Sequence, residues 1–199
     1  MTRHFSVTWD YRCPYARIAH DHLVTALRAG PDWEVRFLPF SLGQIHRGEG
    51  QTDVWDDPES DSGMLALQTG VAVRDLVPGR FLDVHQTLFD LRHVHAGDLR
   101  DRSVIAKALA EQGIDAEAVL AEVDGGRPLA TIKAEHEAFV TTHRVWGVPT
   151  FIVGERAVFV RLLHPADGDA TFATSTIERV LDQVDWPILN EFKHTSIPR

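Results

Sequence analysis

The chain has one cysteine, Cys13, in the run Asp10-Tyr11-Arg12-Cys13-Pro14-Tyr15-Ala16, and its sulfur is the residue best suited to nucleophilic chemistry. Thiolate rather than thiol attacks disulfides and electrophiles, so reactivity depends on what lowers the thiol pKa. Pro14 suits the first position of a helix, where no backbone donor is needed and its φ is already helical. Tyr15, Ile18, Ala19, Leu23, Ala26 and Leu27 then recur at helical spacing as far as Gly30-Pro31. Cys13 is therefore expected over the unpaired N–H groups and positive end of a helix, where a thiolate is favoured. A lone cysteine also serves as a small buried apolar residue; the order of strand, Cys-Pro and helix points to the reactive use. Arg12 and Arg17 flank the thiol, placed to lower its pKa further or to hold a carboxylate, although solvated arginines fit the same spacing.

Other chemistries find less support. Among the 11 histidines, His20 with His22 and His93 with His95 invite a metal site. No His-Glu-x-x-His, cysteine pair or carboxylate cluster at ligand spacing accompanies them, so no metal is expected. His85 and His136 fall on apolar helix faces and read as satisfied core groups. Gly125-Gly126 lacks the Lys-Ser of a phosphate loop, and no Ser, His, Asp hydrolase signature is present.

Positioning Cys13 falls to an alternating chain. Phe5, Val7 and Trp9 alternate with polar residues as a strand with one buried face, and Trp33, Val35 and Phe37 repeat the pattern up to Pro39. Strand, helix and strand make a right-handed parallel unit. Ser41 to Asp57 reads as a loop. From Pro58 to His143 the patterns are helical: Met64, Leu67 and Val71; then Phe81 to Phe89 after Pro78; then segments capped by Asp98 or Asp101 and by Asp115; then Leu129 to Val140. Thr150 to Val153 and Ala157 to Val160 form a hairpin about Gly154-Glu155. Ser175 or Thr176 is expected to cap a last helix carrying Ile177, Val180, Leu181 and Val184. The fold class is α/β, with residues 1–43 and 144–199 as one domain and 44–143 as an inserted helical subdomain.

With 44% hydrophobic residues in 199, the chain can bury a full core. Its formal net charge of -9 argues against a broad nucleic-acid or anionic membrane surface. No apolar run approaches a membrane span, and Met1-Thr2-Arg3-His4 lacks a signal-type apolar core. A single cysteine permits no internal disulfide, in keeping with an expected cytoplasmic location.

The order of Cys-Pro helix, strand, helical block, Val145-Trp146-Gly147-Val148-Pro149-Thr150 and hairpin resembles the thioredoxin-like fold of the DsbA family over nearly the whole chain. Within it the chain looks most like FrnE-type and mycothiol-dependent oxidoreductases, whose aromatic-Pro tail is echoed by Trp186-Pro187 and Phe192-Lys193. The resemblance implies a cis peptide bond at Val148-Pro149 facing Cys13, with the preceding backbone pairing with substrate. It also implies thiol or substrate contacts from Pro14, Tyr15, Arg12, Val148, Pro149 and Thr150, with His46 and His93 bordering the cavity. The chain departs from the dithiol members, which carry Cys-x-x-Cys where it has Cys13-Pro14-Tyr15-Ala16. What remains is a one-thiol cycle on a disulfide or electrophilic substrate, completed by a low-molecular-weight thiol such as mycothiol or glutathione. Kappa-class glutathione transferases and chromene-carboxylate isomerases place Ser-Pro at the matching position to hold a cofactor thiolate, a role open to Cys13. A non-catalytic binding module is a third reading, and a homodimer is possible.

Overall fold

The computed structural model describes residues 1–189, and the strand and helix that flank Cys13 follow the local patterning of the sequence. Strand β1 (Arg3–Trp9) leads into helix α1 (Pro14–Arg28) and then strand β2 (Trp33–Pro39). The two strands run parallel, with Val7 opposite Phe37 and Trp9 opposite Pro39. Helices α2 (Leu42–Ile45), α3 (Met64–Leu76), α4 (Phe81–His93), α5 (Arg102–Glu111), α6 (Ala116–Asp124) and α7 (Arg127–His143) follow, before strands β3 (Thr150–Val153) and β4 (Arg156–Phe159) and helix α8 (Ala170–Asp185). The sheet order is β2-β1-β3-β4, with β3 antiparallel to β1 and hairpinned to β4. Gly154 takes φ +57 in the hairpin turn, a conformation cheap for glycine.

Two expectations are corrected. Ser41 to Asp57 is not wholly loop: Ser41 Oγ accepts from the Gln44 N–H at 3.1 Å and caps the short α2, too brief to show a period. Helix α8 is capped by Asp169, whose carboxylate accepts from the Phe172 N–H at 2.8 Å, so Ser175 and Thr176 lie inside the helix. Of the tail, Trp186-Pro187 is described, while Phe192-Lys193 lies outside the described residues.

One hydrophobic cluster runs from Val7, Trp9 and Phe151 of the sheet into Leu67, Leu88 and Ile132 of the helical segment. A polar chain crosses it. His20 Nε2 donates to the Thr8 carbonyl at 3.1 Å; its Nδ1 then accepts from His85 Nε2 at 2.9 Å, leaving His85 Nδ1 to accept from the Tyr11 hydroxyl at 2.8 Å. Every group in this chain is satisfied only while both rings are neutral. The Tyr11 hydroxyl rests on Gly70 of α3, where a Cβ would collide with it. His136 stacks on Phe40 at 4.2 Å and accepts from the Ser41 N–H at 3.2 Å.

Burial depresses the pKa of His20 and of His136 to about 4, and that of His85 well below its ordinary value. Unfolded histidines protonate near pH ~6.5, so on acidification the unfolded chain gains protons that the folded one refuses. Their stabilisation is complete above about pH 6.5 and is lost progressively toward about pH 4, by up to ~3 kcal/mol for His20. Urea midpoints are expected to hold at neutral pH and to fall steadily below about pH 6; a midpoint flat to pH ~4 would contradict neutral packing.

Candidate active site at Cys13

Cys13 is the N-cap residue of α1, with φ -86 and ψ 117, and Pro14 occupies the first turn. Its sulfur accepts from the Ala16 N–H at 3.4 Å, and its thiol donates to the Val148 carbonyl at 3.3 Å. The Val148–Pro149 bond is cis. Two segments far apart in sequence thus meet at one sulfur. Thr150 lies next in line but turns inward: its N–H donates to Thr8 Oγ1 at 2.8 Å and its hydroxyl to the Gly147 carbonyl at 2.8 Å. It fixes the loop rather than offering a free group.

The expected thiolate is corrected by burial. Cys13 is 9% exposed. Desolvation pushes its pKa up, and the opposing pull of the Ala16 and Tyr15 N–H groups does not restore it; Asp10 adds to the rise, while Arg161 works against it. The resting form is therefore the neutral thiol, although the helix end stands where the sequence places it.

Arg12 also differs from expectation. Its guanidinium donates to Asp10 at 2.7 Å and to Asp61 at 2.9 Å, and Asp10 is fully buried. Asp10 accepts in addition from the backbone N–H groups of Arg12 and Leu42, each at 2.9 Å. Three of the five guanidinium N–H groups of Arg12 are spent on building the turn before Cys13, and its charge is met by two carboxylates. Arg17 is held likewise by Asp90 at 2.9 Å. His93 donates from Nε2 to the Tyr11 carbonyl at 2.9 Å, steadying the same turn, and burial leads the causes that lower its pKa. His46 is exposed at the end of α2, its ring without a hydrogen bond among the described residues. Tyr15 is partly buried and carries the guanidinium of Arg161 over its ring at 5.0 Å. Arg161 escaped the sequence reading because only the folded hairpin brings it to α1. Open hollows of about 500 and 530 Å³ occur elsewhere on the molecule, and neither is lined by Cys13. No group of three potential metal ligands occurs among the described residues, and no described helix is long and apolar enough to cross a membrane.

Residues 6–173 match the DSBA-like thioredoxin domain. The chain belongs to that family. Solved relatives share its fold at low identity. DsbA from Pseudomonas aeruginosa is 19% identical, with 91% of this chain and 85% of that one covered and a TM-score of 0.59. The cytosolic disulfide reductase DsbM from Pseudomonas aeruginosa, solved with GSH, is 18% identical over 90% of this chain and 99% of its own, with a TM-score of 0.58. A 2-hydroxychromene-2-carboxylate isomerase is 13% identical over 90% and 96%, with a TM-score of 0.64. No curated protein matches the sequence.

In this DSBA-like chain the turn before the thiol depends on a buried carboxylate. Asp10→Asn turns an acceptor into a donor facing N–H groups and removes half of the charge around Arg12. Denaturant unfolding is expected to show a loss of about 3 kcal/mol. A loss under about 1 kcal/mol would show that the ion pair does not hold the turn.

Proposed function

We propose that this protein is a thiol-disulfide oxidoreductase that works through Cys13 alone, with a low-molecular-weight thiol, mycothiol or glutathione, as second reactant. The observation that carries this reading is the Cys13 sulfur at 3.3 Å from the Val148 carbonyl, on a helix end and beside the cis peptide. Family membership and the fold shared with a cytosolic disulfide reductase solved with GSH support it, and a cytoplasmic location goes with it.

The cycle conserves electrons on Cys13. The thiol loses its proton to solvent, and the sulfur attacks one sulfur of a substrate disulfide, releasing the other half as thiolate. The Ala16 N–H and the end of α1 hold the negative charge while it exists. A small thiolate then attacks the Cys13 mixed disulfide, forming a new disulfide with the substrate half and returning Cys13 as thiolate, which reprotonates. No second protein cysteine is needed.

The raised thiol pKa and the S–H donated to a carbonyl favour one second reading, of transferase or isomerase class. There Cys13 stays neutral and donates its hydrogen bond to the thiolate of a bound cofactor.

Intact-mass spectrometry after incubation with oxidised glutathione and with mycothiol disulfide separates the two. Exchange predicts one reducible adduct that Cys13→Ser abolishes. No adduct with either disulfide, together with measurable binding of the reduced thiol, overturns it in favour of the second reading.

A further inference from the structure

Around Cys13 the surface holds aromatic rings and a cation that the exchange chemistry leaves unused. Trp146 stands two residues before Val148, is 60% exposed, and rests on Phe159 with ring centroids 4.6 Å apart. Phe159 pairs with Thr150, and the Val160 N–H donates to the Pro149 carbonyl at 3.0 Å, which pins this end of β4 beside the cis peptide. Arg161 follows. Its guanidinium lies 5.0 Å from the Tyr15 ring and 5.8 Å from the Phe159 ring. Tyr15 is two residues from Cys13 on α1, so the cation bridges both walls of the site.

Arg161 differs from the other arginines nearby. Arg12 is held by Asp10 and Asp61, and Arg17 by Asp90. Among the described residues Arg161 has rings for company and no carboxylate. A guanidinium stacked on aromatic faces keeps its N–H edge available for bidentate binding of an anion. Its charge also reaches the reacting sulfur, since it favours the Cys13 thiolate. On a chain of net charge -9, a cation at the nucleophile with no carboxylate partner among the described residues selects for a negatively charged reactant.

Resting on the exchange reading, we propose that the site takes an anionic aryl disulfide or thiol. Its carboxylate sits on the Arg161 edge and its flat face on the exposed Trp146 ring, which Phe159 backs, and its sulfur meets Cys13. In the exchange step the Cys13 thiolate forms a bond to one aryl sulfur, the disulfide bond breaks, and the second aryl group leaves as thiolate.

The test measures the second-order rate of Cys13 modification by three probes: dithiobis(nitrobenzoate), anionic and aryl; dithiodipyridine, neutral and aryl; and dithiodipropionate, anionic and alkyl. Arg161→Gln is expected to lower the rate ratio of the first probe to the second about fivefold, and the ratio cancels any change in thiol pKa common to both. Trp146→Ala is expected to lower the ratio of the first probe to the third by about threefold. Both ratios unchanged within about twofold overturn the proposal while leaving exchange intact. If no probe modifies Cys13, the exchange reading fails, and the subsite is judged on Cys13→Ser protein by titration with thionitrobenzoate. Binding weakened about fivefold by Arg161→Gln supports the subsite, and equal binding overturns it.

Discussion

The placement of one sulfur, wedged between the first turn of α1 and the carbonyl of Val148, governs the rest of this structure. The helix end offers N–H groups that favour negative charge, and burial opposes it. Burial prevails at rest, so Cys13 is stored as a thiol whose proton is occupied by a carbonyl. Reaction then needs the proton to leave, and the groups already aimed at the sulfur stabilise what remains. A reactant carrying its own charge and apolar surface changes this balance, which is why the cation and rings beside the sulfur matter to the chemistry.

Holding the sulfur there takes polar construction inside an apolar core. Asp10 gathers the Arg12 side chain and two backbone N–H groups, and Asp61 closes the pair from the segment before α3. His93 ties down the Tyr11 carbonyl, while the Tyr11 hydroxyl ends a chain through His85 and His20 to the Thr8 carbonyl. That chain joins α4 to α1 and β1, so the helical segment is bonded to the strand that leads into the nucleophile. On the opposite wall, Thr150 bonds Thr8 and Gly147 and fixes the loop bearing the cis bond.

The parts legible in the sequence are those written locally. The alternation of Phe5, Val7 and Trp9, the Pro14 start of α1 and the stripe through Leu27 are short-range patterns, and the structure follows them. The two-segment site was reached by resemblance, because no period links Cys13 to Val148. The role of Arg12 could not be read, since Asp61, 49 residues on, has no pattern of its own to announce it. The direction of the thiol pKa was likewise hidden: helix ends are sequence features, whereas desolvation depends on what tertiary packing lays over the sulfur. Asp169 is not legible as the α8 cap, because the large apolar residues that helix buries begin only at Ile177.

The central claim is that Cys13 rests as a neutral thiol despite its helix end. Ultraviolet absorbance of the thiolate, followed against pH on the intact protein with Cys13→Ser subtracted to remove the tyrosines, reads that claim directly. The account predicts no thiolate signal at neutral pH and a half-point above the ordinary thiol value of about 8.5. A half-point below that value, with the thiolate already formed at neutral pH, would contradict it.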